Sequence, residues 1–369
     1  MNIFLIALIA VTMYKIHINR TPDVDAYLSH KHTTRINGFF ILIVFYAHIR
    51  TYMPYVPETD AWMYTVATGL GQLMVALFLF YSGYGIHESI RRKPGYVHTL
   101  PRKRIGITWI NFAFALLFFL TLDLILGREI TPYQVIFAFL GWTSIGNSAW
   151  YIFAILVLYL LTYLTYTLTA RITSTPVDTP ATATTTPTAA SATATTALPI
   201  ALMFLVTIAF SLTMWWAKDG IATYSYNTVL CYPLGMAWSA YRTPIENALR
   251  RPRPWPTWLL LFAASTLAFA TLRAYSGTHY LIFQLTALAY CLLALLITTI
   301  IHINSPILEW FGKNLFWIYV LQRLPMIAFT HIGLAENHRA LFVTLTLLST
   351  IALTLLAKKA IAPIQQLIR

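Results

Sequence analysis

The chain has 369 residues, of which 58% are hydrophobic and only 10% are charged, and its mean hydropathy is +0.65. Apolar runs long enough to cross a bilayer recur along the whole sequence, which predicts a polytopic membrane protein. The net charge of +13 does not indicate a nucleic-acid partner, because the basic residues lie in short loops between apolar runs, as the positive-inside rule requires. Cys231 and Cys291 lie in separate apolar runs and are interpreted as small buried side chains, so neither a disulfide nor a bound metal is expected.

The apolar runs predict an all-α transmembrane helical bundle of about ten core spans preceded by one extra N-terminal span. The run at 2–14 lacks a preceding basic region and a following cleavage site, so we interpret it as a retained span. The basic loops fall on one side of the membrane only if 131–146 does not cross it, so this segment is predicted to be interfacial or re-entrant. The C-terminus of the chain is then predicted to lie in the cytoplasm. The predicted spans lie near 2–17, 36–53, 61–87, 104–126, 148–170, 197–217, 224–241, 255–273, 278–303, 314–331 and 339–357.

The first candidate for chemistry is a histidine inside the second apolar run. An ionisable side chain is costly inside a bilayer and is a functional candidate by default. Asn37 precedes His48 by eleven positions, about three helical turns or 16 Å, which places both on one helix face. A neutral imidazole there could accept a proton from a hydroxyl that attacks an activated acyl group. The alternative is a histidine satisfied by a neighbouring helix or exposed at the interface.

A basic loop follows the third apolar run. Six cations lie within the fourteen residues from Arg91 to Arg104. They could set the orientation of the chain in the membrane, attract anionic lipid headgroups or bind a ligand with several phosphates. Before this loop, Ser82, Gly83 and Gly85 stand among bulky residues. These small residues permit either close helix packing or narrow access for an acyl arm.

A Thr/Ala/Pro-rich stretch at 172–197 separates two membrane halves, at 30–171 and 198–369, and 1–29 forms the extra span with a cytoplasmic loop. The composition of 172–197 predicts a flexible linker rather than a folded unit, and an O-glycosylated stalk is the alternative. We find no internal repeat between the halves, which weighs against a carrier built from two related units.

A further constellation runs from Gly312 to Pro325. Gln322 and Arg323 fall inside a predicted span, where an arginine needs a charged partner or a water-lined cavity. Glu309 and Asp123 are the candidate partners, and structural pairing alone is an adequate explanation.

These motifs, in this order, resemble those of the acyltransferase 3 family of integral-membrane O-acyltransferases over about 30–357. The spacing from Asn37 to His48 matches the family's basic residue, ten residues and histidine. The remaining matches are Phe78–Tyr84 to Phe-x-x-Ser-Gly-[Phe/Tyr], Arg102–Arg104 to a basic loop, Trp150–Ile152 to Trp-[Phe/Tyr]-[Ile/Leu] and Gly312–Gln322 to Gly-Lys-x-Ser-x-x-Ile-Tyr-Leu-x-His. Asn37 replaces the family's basic residue, with Arg35 two positions away, and Gln322 replaces the late histidine.

The resemblance implies transfer of an acyl group, usually acetyl, from acyl-CoA on the cytoplasmic side to a hydroxyl of a glycan or glycolipid. It implies an enzyme in a bacterial cell membrane, with the lipid bilayer as its surroundings. His48 would be the general base, and Arg323 or Arg35 would stabilise negative charge, with Asn37 on the same helix face. The implied contacts to acyl-CoA are Arg102, Lys103, Arg104, Ser82, Trp150 and Tyr319. A transporter or flippase for a glycan or lipid-linked intermediate, and a membrane component with a dead site, remain the alternatives.

Overall fold

A computed structural model describes residues 1–172, 189–217 and 226–368. These ranges are almost entirely helical, apart from two strands that pair antiparallel, with His17 opposite His302. The first elements are α1 (Asn2–Met13), β1 (His17–Ile18), α2 (His30–Ile49), α3 (Pro57–Leu70), α4 (Ala76–Arg92), α5 (Tyr96–Leu100), α6 (Ile107–Ile125), α7 (Pro132–Phe139), α8 (Trp150–Ile172) and α9 (Ala189–Ala217). They are followed by α10 (Cys231–Tyr241), α11 (Thr243–Leu249), α12 (Trp255–Ala274), α13 (Tyr280–Ile300), β2 (Ile301–His302), α14 (Pro306–Lys313), α15 (Leu315–Leu321), α16 (Arg323–His331), α17 (Leu334–Asn337) and α18 (Arg339–Ile368).

Seven helical segments in the described ranges are long and apolar enough to cross a membrane by length and composition. The predicted all-α membrane fold is thereby confirmed, and the chain is an integral membrane protein. The total of about eleven spans stays a prediction. The seven segments are Pro57–Arg92, Tyr96–Ile125, Trp150–Ile172, Ala197–Ala217, Trp255–Ala274, Tyr280–Ile300 and Arg339–Leu367.

The segment predicted to be interfacial, 131–146, contains only the short helix α7. Its eight residues extend about 12 Å, which is too short to cross the hydrocarbon core. Thr131 and Gln134 form a reciprocal capping box at its start, which satisfies free backbone N–H groups of the first turn. The local structure therefore agrees with a segment that does not span.

The predicted linker overlaps a helix at its C-terminal end. Residues 173–188 lie outside the described residues, so the prediction of flexibility is not tested there. Residues 189–197, predicted as the end of the linker, form the first turns of α9. Alanine, the strongest helix former, recurs in these residues.

Polar contacts define two ends of the helical bundle. At one end, Arg35 near the start of α2 pairs with Glu309 of α14 at 3.0 Å. Arg242, which follows α10, donates to the hydroxyl of Tyr84 in the middle of α4 at 2.6 Å. We call this the basic end, because the cationic loop after α4 begins there. The other end, which contains the last turn of α2, is called the distal end.

The predicted span 61–87 lies within the apolar helical segment Pro57–Arg92, which is bent between α3 and α4. Gly71 has φ of +50° and ψ of −129°, a conformation that side-chain-bearing residues rarely adopt, and the chain turns there between α3 and α4. Asp60 accepts from Arg339 at 2.5 Å, and the carbonyl of Gly69 accepts from Arg273 at 2.8 Å. Both ends of α3 are therefore held at the distal end, and α3 lies across it while α4 runs to the basic end.

The loop between α1 and α2 is anchored at the basic end. The backbone N–H groups of Asn19 and Asp23 donate to carbonyls at the end of α13, each at 2.8 Å. The hydroxyl of Tyr27 donates to Glu246 at 2.9 Å. Burial and the adjacent Glu246 carboxylate raise the pKa of Tyr27, so this hydroxyl stays protonated as a donor. The N-terminal loop is thus bound to the second half of the chain.

The helix that carries His48 is held against α14 by a reciprocal pair of glycines. A Cβ added to Gly38 of α2 would collide with the carbonyl oxygen of Leu308, and one added to Gly312 of α14 would collide with that of Thr34. Only glycine permits backbones to approach this closely. Gly312 of the sequence motif therefore fixes the position of α2.

A second pair of glycines joins α4 to α10. A Cβ at Gly83 would collide with the carbonyl oxygen of Tyr232, and one at Gly235 would collide with that of Phe80. Ser239 of α10 bridges this contact by donating to Glu88 at 2.8 Å. The contacts favour the packing interpretation of the small residues around Gly83.

We expect Gly83→Ala to lower the apparent Tm of the purified protein in detergent, because the added methyl group forces two helix backbones apart. Overpacking of this kind costs about 1–3 kcal/mol. Gly85→Ala is the matched control, since a Cβ there meets nothing within 4 Å. If Gly83→Ala and Gly85→Ala have the same apparent Tm, the backbones of α4 and α10 are not in close contact.

Candidate active site

A cavity of about 410 Å³ lies at the distal end, where the last turn of α2, the turn at Gly71 and the end of α12 meet. Three of the residues singled out in the sequence line it, namely His48, Trp150 and Tyr319. They come from three helices far apart in sequence, so the fold assembles this site. None of the described residues that line the cavity is acidic.

His48 is the ionisable group of the cavity best suited to proton transfer. Its ring centroid lies 6.2 Å from that of Tyr319, and its Nδ1 atom is buried with no hydrogen-bond partner among the described residues. The alternative of a histidine satisfied by a neighbouring helix therefore has no support at Nδ1. Arg323 lies over the ring of Tyr52, four residues after His48, so a cation lies near the end of α2. A free imidazole nitrogen beside a cation is suited to hydroxyl activation.

The end of the Gly312–Pro325 motif brings three polar residues towards His48. Tyr319 is buried, with its ring centroid 5.4 Å from that of Tyr151. Gln322 is fully buried, donates to the carbonyl of Tyr319 at 3.2 Å, and has no partner for Oε1 among the described residues. Arg323 stacks over the ring of Tyr52 at 5.8 Å, and its Nε atom has no partner there either. Each of the three residues thus has a polar atom without a hydrogen-bond partner among the described residues, and this atom is free to bind a ligand.

The charged partners predicted for Arg323 are wrong. Glu309 pairs instead with Arg35 and with Lys313, and Asp123 pairs with Arg128 at 3.2 Å. The error arises because spacing along the sequence does not reveal at which end of the bundle a carboxylate lies. Glu309 lies at the basic end, away from Arg323.

Arg35 and His48 lie at opposite ends of α2. Thirteen residues separate them, about 20 Å along the helix axis. The Arg35 guanidinium is engaged by Glu309 and by the Oδ1 of Asn304 at 2.5 Å. Asn37 is half-buried, and its Oδ1 atom has no partner among the described residues. The geometry therefore separates Arg35 and Asn37 from the cavity that contains His48.

The predicted acyl-CoA contacts divide between the two ends. Arg102, Lys103 and Arg104 are exposed on a π-helical turn that leads into α6, and Arg104 donates to the hydroxyl of Tyr96 at 2.9 Å. Ser82 hydrogen-bonds the hydroxyl of Tyr159 at 2.9 Å. Trp150 and Tyr319, by contrast, lie in the distal cavity, so the structure does not gather all six residues in one place.

A second cavity, of about 390 Å³, lies at the basic end between the start of α2 and the end of α4. Arg92 and Arg242 line it together with Tyr81. Both arginines are ion-paired, Arg92 with Glu88 and Arg242 with Glu246. Sequence reasoning did not single out this cavity, because its residues belong to three separate segments.

Sequence reasoning also missed two arginines of the distal cavity. Arg50 follows His48 by two positions, and Arg273 stands at the end of α12. Both have a signal in the sequence, since each is a lone cation at the end of an apolar run, away from the basic loops. The positive-inside rule would have marked them as exceptions.

A family model described as an acyltransferase domain, that of the acyltransferase 3 family, matches residues 36–359. The chain belongs to this family. It is a membrane acyltransferase that transfers groups other than amino-acyl groups, as its motifs suggested. The matched range includes His48, Gly83 and the Gly312–Gln322 segment. Comparisons with curated proteins and with solved structures find no match.

Proposed function

We propose that this acyltransferase transfers an acyl group, acetyl by preference, from acyl-CoA to a hydroxyl of a glycan or glycolipid, with His48 as the general base. The observation that carries the proposal is the position of His48 in a cavity open to ligand, where its Nδ1 has no hydrogen-bond partner among the described residues. By the positive-inside rule the basic end faces the cytoplasm, where acyl-CoA is found, and the cavity with His48 lies towards the other face.

In the proposed reaction, the neutral imidazole of His48 takes the proton of the acceptor hydroxyl as its oxygen attacks the thioester carbonyl carbon. The negative charge that develops on the carbonyl oxygen is stabilised by Arg323, whose guanidinium lacks an ion pair among the described residues. The carbon–sulfur bond then breaks, and His48 returns the proton to the departing thiolate. The products are the acyl ester and free CoA.

The cations of the basic end supply a site for the donor phosphates. Arg102, Lys103 and Arg104 are exposed, and no acidic residue occurs in the sequence from 93 to 122. Guanidinium and ammonium groups bind phosphate oxygens well, so the cluster 102–104 is the candidate for binding the CoA phosphates.

Buried polar atoms lie between the basic end and His48 without hydrogen-bond partners among the described residues. They are Asn37 Oδ1 and the Tyr81 hydroxyl, with the Tyr319 hydroxyl beside the distal cavity. Unsatisfied buried polar groups are costly and are often explained by a ligand that completes them. The amide and carbonyl groups of the CoA arm have the hydrogen-bonding capacity to do so.

Neutralising Arg102, Lys103 and Arg104 to glutamine together is expected to raise the KM for acetyl-CoA at least tenfold, or about 1.4 kcal/mol, with a smaller change in kcat. Contacts to the phosphates are made equally before and during the reaction, so they contribute to KM. The measurement is transfer of labelled acetyl groups to endogenous acceptors in membranes of the source organism that contain each variant.

The matched control removes the same charge at exposed positions elsewhere, with Arg251, Arg253 and Lys359 changed to glutamine. If both triple variants raise KM equally, the effect comes from the general surface potential and the cluster is not the donor site. A donor site in the basic-end cavity would instead be shown by a selective rise in KM for Arg92→Gln with Arg242→Gln.

A further inference from the structure

Two arginines of the distal cavity have no role in the reaction as proposed. Arg273 donates to the carbonyl of Gly69 at 2.8 Å and to the hydroxyl of Ser276 at 2.7 Å, which fixes the guanidinium at the cavity wall. The Arg50 guanidinium lies 5.0 Å from the ring centroid of Tyr64, and its Nε atom is buried with no hydrogen-bond partner in the described part of the chain. Both side chains are half-buried.

The arginines of this cavity differ from others packed into the bundle. Arg35, Arg128 and Arg339 each have a carboxylate within 3.2 Å. Among the described residues, neither Arg50 nor Arg273 has an ion pair, and no acidic side chain lines the cavity they share. Asp60 lines a small adjoining cavity with Arg50, but it is already paired with the Met1 amine and with Arg339. Positive charge therefore exceeds negative charge among the described residues around Arg50 and Arg273.

A half-buried guanidinium without a counter-charge is unfavourable at the edge of a bilayer. Its planar fork of N–H donors matches the oxygens of a carboxylate or a phosphate, which it can bind through two hydrogen bonds. An anionic group on the ligand would supply the missing charge. A neutral sugar would leave both arginines unbalanced.

We propose that the acceptor is anionic, and that its carboxylate or phosphate binds at Arg50 and Arg273 while a hydroxyl of the same molecule reaches His48. This inference rests on the proposed function, because it assigns the distal cavity to the acceptor. The turn at Gly71 is part of the same wall, and the hydrogen bond from Arg273 to Gly69 ties the anion site to that turn. The acceptor class is thus an acidic glycan or a phosphate-bearing glycolipid.

The test uses purified protein in zwitterionic nanodiscs and two pairs of probes. One pair is an oligosaccharide of glucuronic acid and its neutral carboxyl-reduced form, and the other is a hexose 6-phosphate and the free hexose. We expect at least one anionic probe to bind at least tenfold more tightly than its neutral counterpart. The double variant Arg50→Gln with Arg273→Gln should lose that preference, and the double lysine variant should retain part of it.

Several results would overturn the inference. The inference fails if neither anionic probe binds more tightly than its neutral counterpart. It also fails if the preference for the anionic probe survives in the double glutamine variant. A third arm replaces the nanodisc lipid with phosphatidylglycerol, and if this lipid abolishes binding of the anionic probe, the cavity binds a lipid headgroup rather than the acceptor. Acetyl-CoA binding is measured in parallel, so that its absence counts against the proposed function while probe binding reports on the anion site alone.

Discussion

Replacing His48 with alanine is expected to reduce acyl transfer by about 10²–10⁴-fold, because general base catalysis contributes that factor. The variant should accumulate in the membrane and melt near the temperature of the parent, since Nδ1 forms no hydrogen bond that the fold would lose. The measurement is the rate of labelled acetyl transfer to endogenous acceptors in membranes of the source organism. Acetyl-CoA binding should change little, because the imidazole acts on the acceptor hydroxyl.

His331→Ala is the matched control for this prediction. His331 ends α16 and is exposed, so its loss removes an imidazole without touching the cavity. The control should transfer acetyl groups at the parental rate. A His48→Ala rate within about threefold of the parent would remove His48 from the mechanism, and a variant that fails to accumulate would assign it a packing role instead.

Replacing Arg323 with alanine is expected to lower kcat by about 10²–10³-fold with little change in the KM for acetyl-CoA. Loss of one group that stabilises an oxyanion has an effect of this size, and a contact made only in the transition state acts on kcat. Thermal stability should be unchanged or higher, because the variant removes a half-buried charge that has no ion pair among the described residues. Lower activity combined with undiminished stability distinguishes a catalytic from a structural arginine.

Arg323→Lys tests the same residue with its charge retained. We expect an intermediate kcat, because an ammonium supplies charge without the planar fork of donors. If Arg323→Ala instead lowers the Tm and leaves kcat near the parental value, the guanidinium serves packing against Tyr52 and the oxyanion must be stabilised by another group.

Much of the fold was predictable because the bilayer imposes long apolar runs on the sequence. The helix that begins at Trp150 falls close to the predicted span 148–170, whereas the helix with His48 covers His30–Ile49 rather than the predicted 36–53 and is not among the seven segments. The turn at Gly71 was not predicted, because hydropathy averages over some twenty residues and does not register a single positive φ. The apolar run from 61 to 87 therefore concealed one helix lying across the distal end and another running to the basic end.

The candidate site was only partly predictable, for a related reason. His48, Trp150 and Tyr319 were found through motifs, and the fold brings them to one cavity. Arg35 was predicted to stabilise negative charge because it lies two positions from Asn37, where the family has a basic residue, yet helix geometry places it about 20 Å from His48. Which carboxylate meets which arginine depends on tertiary contacts, so the pair of Arg35 with Glu309 could not be derived from spacing.

Binding of labelled acetyl-CoA to the purified protein in nanodiscs tests the central claim most directly, because a membrane acyltransferase that uses this donor must hold it. The account predicts saturable binding that free CoA displaces, that persists in His48→Ala, and that weakens at least tenfold when Arg102, Lys103 and Arg104 are all changed to glutamine. No saturable binding to the folded parent protein would contradict the assignment of acyl-CoA as the donor.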